Sequence, residues 1–165
     1  MKIFNTLIFI VVFQFVSGQD ISVKISNLYK NKDSILLTVT LENISNGRIL
    51  IFKPDVNYVN YGLLAINLID QSNISSGHYD YGKRGDLDKL ILEESDYLIL
   101  NEKETYSKRI QLFTRNFAPT ITKGFYKLQF TLDYTFINLE FPCKVQSKIF
   151  KGKVSTISTT KIGFK

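Results

Sequence analysis

Apolar and polar residues alternate with a period of two along much of this chain, in short segments separated by polar clusters. Successive side chains of a β-strand point to opposite faces, so this alternation predicts half-buried strands. The predicted strands cover residues 20–30, 34–42, 48–52, 62–70, 96–100, 106–113, 126–136 and 147–159.

The most regular alternation lies in residues 126–136. Apolar residues expected on one face of the strand alternate there with polar residues expected on the other face. The apolar positions there are Tyr126, Leu128, Phe130, Leu132, Tyr134 and Phe136. Such a row, rich in aromatic rings, predicts a central strand of a packed sheet. In residues 34–42 the same argument predicts that Ile35, Leu37, Val39 and Leu41 point inward.

Between the strands, the sequence carries turn signals. Asn46-Gly47 favours a tight turn, because both residues tolerate a positive φ. Residues 71–89 predict a long loop of Ser, Asn, Gly, Asp and Tyr, and residues 87–94 have a spacing that also allows one helical turn. At Gly152 the alternation slips, which predicts a β-bulge in the last strand.

Short strands with frequent turns, and no long helical pattern, predict an all-β fold. The class that fits is an antiparallel immunoglobulin-like β-sandwich of about seven to nine strands. The chain contains no Trp and a single Cys, so the Cys…Trp…Cys pattern of antibody domains is absent.

Three segments resemble landmarks of small exported bacterial immunoglobulin-like domains, a scaffold shared by fibronectin type III domains and BsuPI-type proteinase inhibitors. They are residues 37–43, residues 100–104 and Gly124-Phe125-Tyr126. The resemblance implies that Tyr126 takes the tyrosine-corner position, where its hydroxyl bonds the backbone near the preceding turn. A Pro-Gly pair expected near residues 101–104 is missing, and the resemblance transfers no functional residue.

The first residues have the layout of a secretory signal peptide. Lys2 is followed by an apolar run from Ile3 to Val16, and small or polar residues follow from Ser17. We expect residues 1–18 to be the signal peptide, with cleavage after Gly18, and residues 19–165 to form a single domain. The run is shorter than the roughly 20 residues of a spanning helix, so we expect no permanent membrane span and an exported, periplasmic or extracellular, protein.

Charge is distributed unevenly along the chain, whose net charge is +6. Acidic residues prevail up to Glu104, and basic residues prevail from Thr105 onward. A cationic patch for an anionic surface is one interpretation, and pairing of late basic strands with early acidic ones is the other. Lysine outnumbers arginine and no Arg-aromatic clustering is present, so we expect no nucleic-acid partner.

Tyrosines provide the best candidates for a binding surface, because the phenol combines a rigid apolar face with a polar tip. The candidates are Tyr58, Tyr61, Tyr79 and Tyr81, with help from the basic end at Lys148, Lys151 and Lys153. The alternative is that Tyr58 and Tyr61 pack on the core. The expected partner is an envelope protein or polysaccharide of a bacterium.

Residues suited to catalysis or metal binding are scarce. His78 is the one histidine and Cys143 the one cysteine. No His or Cys spacing suits zinc, and no glycine-rich motif suits a nucleotide. We therefore expect no cofactor and no metal. The sequence therefore favours a non-catalytic binding module. A proteinase inhibitor using loop 71–88 is the first alternative, and a hydrolase using acidic residues within 80–96, such as Asp86, Asp88 and Glu93, is the second.

Overall fold

A computed structural model describes residues 20–82, 85–86, 94–119, 121–135 and 148–164. Within these ranges the chain is mostly β. The strands are β1 Ile21–Lys30, β2 Ser34–Asn43, β3 Ile49–Phe52, β4 Leu64–Ile69, β5 Ser75–Tyr79, β6 Tyr97–Leu100, β7 Thr105–Phe113, β8 Phe117–Ala118, β9 Gly124–Asp133, β10 Lys148–Ile149, β11 Lys153–Ile157 and β12 Ile162–Phe164. Short 3₁₀ turns occupy Val56–Tyr61, Glu94–Asp96 and Thr114–Asn116.

The described strands form three sheets. The first has the order β1-β2-β7, with β2 antiparallel to both neighbours. The second has the order β10-β3-β6, in which β10 runs parallel to β3. The third has the order β11-β9-β4-β5-β8, and β12 also pairs with β9. The predicted β-rich architecture is therefore confirmed.

The inward faces of all three sheets contribute to one buried cluster in the described part of the chain. The predicted inward residues of β2, from Ile35 to Leu41, are buried. The row from Tyr126 to Tyr134 is buried as well, which confirms β9 as a central strand. Phe136, the last residue of the predicted row, lies outside the described residues.

One predicted loop is partly a strand. Within residues 71–89, β5 pairs with β4 on one side and β8 on the other. Its sequence is polar except at Tyr79, so backbone pairing with two neighbours holds it in place, and hydrophobicity gave no signal. The helical turn considered for residues 87–94 falls outside the described residues, apart from Glu94 at the start of a 3₁₀ turn.

The last predicted strand is divided between two sheets. β10 belongs to the second sheet and β11 to the third, with Gly152 in the connection between them. The Gly152 carbonyl accepts a 2.9 Å hydrogen bond from the backbone N of Tyr134, and a Cβ on Gly152 would lie 3.1 Å from the Phe150 ring. The slip in the alternation therefore marks a crossing between sheets, and the predicted bulge is wrong.

A buried asparagine organises the bend at Asn46-Gly47, which joins two different sheets and does not close a hairpin. The Asn43 Nδ2 donates to the carbonyls of Gly47, Leu100 and Asn101 at 2.6, 3.0 and 3.0 Å. Its Oδ1 accepts from the backbone N of Ser45 at 2.9 Å. Asn43 thereby joins two of the segments that carry the immunoglobulin-like resemblance, residues 37–43 and 100–104.

The hydrogen bond implied for Tyr126 is present. Its hydroxyl donates to the Thr122 carbonyl at 3.1 Å and lies 2.9 Å from the Thr122 Oγ1. This bond fixes the turn that leads into β9, as a tyrosine corner does.

The signal peptide expected for residues 1–18 falls outside the described ranges and stays a prediction, and Cys143 also lies outside them. Among the residues that the structure describes, no helix has the length and apolar character needed to cross a membrane.

Replacing Asn43 with alanine should lower the free energy of unfolding by about 2–4 kcal/mol, because the buried Leu100 carbonyl and two part-buried carbonyls lose their donor. Urea denaturation measures the change. Asn57→Ala is the matched control, since Asn57 is exposed on the 3₁₀ turn and should change stability by less than about 0.5 kcal/mol. Equal effects of the two substitutions would contradict the role assigned to Asn43.

Candidate functional site

Two of the four candidate tyrosines belong to the core. Tyr58 is buried in the 3₁₀ turn Val56–Tyr61, with its ring edge-on to Phe52 at 6.4 Å between centroids. Burial, followed by the neighbouring Asp96 carboxylate, raises the pKa of Tyr58 well above its ordinary value. The neutral phenol is therefore stable inside the core, and Tyr58 has no exposed face to offer a partner.

Tyr79 is also buried, in β5, and its hydroxyl has two donors. The backbone N of Phe113 lies 3.3 Å away and the Asn116 Nδ2 3.2 Å away. Tyr81 stacks on Tyr79 with 6.3 Å between ring centroids and remains 39% exposed. Tyr79 therefore packs against the Tyr81 ring, and its hydroxyl group links β5 to the end of β7.

Tyr61 is half-buried and packs against the core. Gly85 lies directly on its ring, where a Cβ would overlap the ring carbons, and the Gly85 N donates to the Asn60 carbonyl at 2.9 Å. The four tyrosines thus share no common exposed surface, which corrects the expected geometry. The hydroxyl groups of Tyr58 and Tyr79 find polar partners inside the fold, so a tyrosine in a turn-rich sequence does not require exposure.

The three candidate lysines lie where the late basic strands meet acidic residues. Lys148 pairs with Asp20 at 2.6 Å, and Lys153 pairs with Asp133 at 3.0 Å. Lys151 is exposed in the connection between β10 and β11. The Lys148–Asp20 pair joins the basic end of the chain to its acidic beginning, as the alternative interpretation of the charge pattern expected.

The Asp133 carboxylate is nearly buried and well supplied with donors. Its Oδ1 accepts from the Thr135 Oγ1 at 2.5 Å, and its Oδ2 faces the Lys153 Nζ. Burial by itself raises the pKa of Asp133, but the hydrogen bonds from Thr135 and Lys153 outweigh it, so the pKa lies below its ordinary value. Lys153 therefore has a structural role at this position.

An open groove of about 490 Å³ lies on the outward face of the first sheet. Its outward side chains come from β1, β2 and β7, and they are Asn27, Tyr29, Leu36, Thr38, Arg109 and Gln111. Tyr29 is 61% exposed. Asn27 has a φ of 50° in the bulge of β1 and donates to the Thr38 Oγ1 at 3.3 Å. The bulge thus brings an amide and an aromatic ring beside an arginine.

A second depression, of about 360 Å³, lies beyond the end of β7. Tyr81, Asp80, Arg115 and Asn116 line it. Phe113 connects the two depressions, because it follows Arg109 and Gln111 on the exposed side of β7 and its ring centroid lies 5.4 Å from the Arg115 guanidinium. We call the six outward groove residues, together with Phe113, Arg115 and Tyr81, the outer strip.

The outer strip combines exposed aromatic rings with planar polar groups. Arg109 and Arg115 form no ion pair with any residue in the described ranges, so both guanidinium groups are available to a carboxylate. Sequence reasoning found only Tyr81 of this set. The signal it overlooked is Leu36, an apolar residue at a solvent-facing position between the inward Ile35 and Leu37.

Only some of the residues considered for catalysis or metal binding lie in the described part of the chain. No group of three or more His, Cys, Asp or Glu is placed there to hold a metal. His78 is exposed on β5, opposite Asn67. Asp88 and Glu93, which the hydrolase alternative needs, lie outside the described residues. The proteinase-inhibitor alternative requires loop 71–88 to protrude. Residues 75–79 of that loop form a paired strand.

Replacing Asp133 with asparagine should lower the free energy of unfolding at about pH 7 by roughly 1–2 kcal/mol. Its folded-state pKa is lowered, so the carboxylate stabilises the fold above about pH 4, and this contribution is lost as the pH falls through the folded-state pKa. Urea titrations across this range should show a shallower acid decline in the variant. Glu42→Gln removes the exposed Lys24–Glu42 pair and is the control. An identical decline in wild type and Asp133→Asn would refute the assignment.

Comparison with known proteins places the chain in no family. No family model matches it, and no curated protein matches it. A crystal structure of a β-glucosidase from Kluyveromyces marxianus in complex with glucose is similar, with 8% sequence identity and a TM-score of 0.32. The match covers 87% of this chain and 14% of the other, so this chain spans a small part of that enzyme's length. A likeness at this level carries no argument about fold or activity.

Proposed function

We propose that this protein is an exported, immunoglobulin-like β-sandwich module that binds an acidic polysaccharide of the bacterial envelope or extracellular space. It carries out no chemistry on that polymer. The polymer lies along the outer strip, from the groove beside Tyr29 to the depression beside Tyr81.

The order of the strands supports the immunoglobulin-like part of the proposal. The order β1-β2-β7 corresponds to strands A, B and E of that fold, and β11-β9-β4-β5 corresponds to G, F, C and C′. In this correspondence β9 is strand F, at whose start a tyrosine corner belongs, and Tyr126 has the required hydrogen bond. The small sheet of β3, β6 and β10 is an addition to the basic pattern.

The length of the outer strip favours a polymer over a small molecule. Arg109 and Phe113 are four residues apart on β7, which corresponds to about 13 Å at the rise of an antiparallel strand. Arg115 and Tyr81 extend the strip further. A small ligand would fill one depression, whereas a chain of sugar units can contact both.

The chemistry of the outer strip favours an acidic sugar. The rings of Tyr29, Phe113 and Tyr81 can stack on the apolar faces of sugar rings, and the amides of Asn27 and Gln111 can bond hydroxyl groups. The guanidinium groups match the bidentate geometry of a uronate carboxylate. The observation that carries the proposal is the presence of one such arginine in each depression, connected through Phe113.

Binding to polygalacturonate, measured by isothermal titration calorimetry against neutral dextran, tests the proposal. Arg109→Gln and Arg115→Gln should each weaken binding about tenfold, because each removes a charge-assisted hydrogen-bonding pair. Arg109→Lys should restore only part of the loss, since lysine keeps the charge but cannot bind a carboxylate in bidentate fashion.

The matched control is Arg48→Gln, since Arg48 is exposed in the bend between β2 and β3 and outside the strip. It should leave affinity within about twofold of the wild type. Equal losses from Arg48→Gln and Arg109→Gln would show that overall charge is responsible. Equal affinity for dextran and polygalacturonate would exclude an acidic ligand.

A further inference from the structure

Two exposed large apolar residues, Phe125 and Ile74, lie on or next in sequence to residues that line a depression with two lysines, on a surface that the outer strip does not include. Phe125 is 62% exposed at the start of β9, and Ile74 is 63% exposed in the turn between β4 and β5. Phe125 lines a small depression together with Lys127 and Lys161. We call Ile74, Phe125, Lys127 and Lys161 the basic-apolar patch.

Phe125 lies on a paired strand and Ile74 in a hydrogen-bonded turn. Tyr126 is buried beside Phe125, so the pleat of β9 turns Phe125 to the solvent. Phe125 lies over Gly163 of β12, where a Cβ would come within 3.1 Å of the Phe125 ring. The absence of a side chain at Gly163 therefore leaves room for that ring.

The turn that carries Ile74 is closed by hydrogen bonds. The Asp70 Oδ1 accepts from the backbone N of Ser72 at 2.8 Å and of Ile74 at 3.0 Å. Asn73 adopts a φ of 59°, which turns the chain sharply just before Ile74. Ile74 thus projects from a fixed turn.

The lysines of the patch have no acidic partner in the part of the chain that the structure describes. Neither Lys127 nor Lys161 forms an ion pair there, and Lys123 is exposed two residues before Phe125. Asp70 is the acidic residue that lines the depression, and one of its oxygens is occupied by the turn. The patch is therefore net positive, in contrast to the surfaces where Lys148 and Lys153 are paired.

We infer that the basic-apolar patch docks the protein onto an anionic lipid bilayer. Projecting apolar side chains enter the boundary between headgroups and acyl chains, while nearby lysines attract the negative surface. Lysine stems add apolar contact as their charged ends reach the headgroups. A protein partner fits this surface less well, because lysine is depleted in the centres of protein interfaces.

The chain has no tryptophan, so Phe125→Trp places a single reporter in the patch. On adding vesicles that contain about one third phosphatidylglycerol, its emission should shift to the blue, and vesicles of pure phosphatidylcholine should cause no shift. Ile44→Trp is the matched reporter, since Ile44 is exposed in the bend after β2, and its emission should stay constant. A shift in both reporters, or in neither, would overturn the inference.

Cosedimentation with the same vesicles tests the residues separately. Phe125→Ser should weaken vesicle binding about tenfold, and Lys127→Gln or Lys161→Gln about fivefold each. Lys151→Gln, an exposed lysine elsewhere, should change binding less than twofold. Equal losses of vesicle binding from Lys151→Gln and Lys127→Gln would overturn the assignment of lipid binding to the basic-apolar patch.

Two further measurements separate this surface from the alternatives. Polygalacturonate affinity should be unchanged in Phe125→Ser, and vesicle binding should be unchanged in Arg109→Gln. Sedimentation velocity of the wild type without lipid should show a monomer. A dimer that Phe125→Ser dissociates would assign the patch to a second copy of the chain and overturn the lipid inference.

Discussion

Strand β9 can pair in only one register, because a shift by one residue would turn its apolar row from the core to the solvent. Its neighbours are β4 on one side and β11 and β12 on the other, so this register positions three strands at once. Phe130 and Leu132 are fully buried at the centre of the row. The hydrogen bond from the Tyr126 hydroxyl to the Thr122 carbonyl fixes the start of the same strand. The outward positions of the third sheet, including Phe125, follow from this single constraint.

Charge pairing on the surface follows from which strands become neighbours. Lys148 and Asp20 are distant in sequence but lie 2.6 Å apart, and Lys108 of β7 meets Asp55 at the same distance. Asp55 also accepts from the backbone N of Asn57, so one carboxylate supports both a strand and a 3₁₀ turn. Burial alone raises the pKa of Asp55, but these donors lower it below its ordinary value. The cations left without a described carboxylate include those of the outer strip and the basic-apolar patch, and for this reason we propose that these two surfaces bind anionic partners.

Local sequence predicted individual strands well but gave little information about which tyrosines are exposed. Alternation identifies a buried face, so Ile35 to Leu41 were assigned correctly. It carries no information about which sheet a strand joins, so the division at Gly152 and the strand β5 were missed. The abundance of tyrosine did not indicate which tyrosines are exposed, because the hydroxyl groups of Tyr58 and Tyr79 have polar partners within the fold. Arg109 and Tyr29 gave no local signal, because they come together only when β1, β2 and β7 pair.

The sequence alone determined the β-rich character of this chain and the inward rows of β2 and β9, because both depend on side-chain period. The hydrogen bond of Tyr126 was implied by the resemblance to immunoglobulin-like domains. Tertiary structure alone decided the three-sheet arrangement, the pairing of early acids with late lysines, and the two surfaces to which we assign function. Those features depend on contacts between residues far apart in the chain, and a local pattern does not record which distant strands will become neighbours.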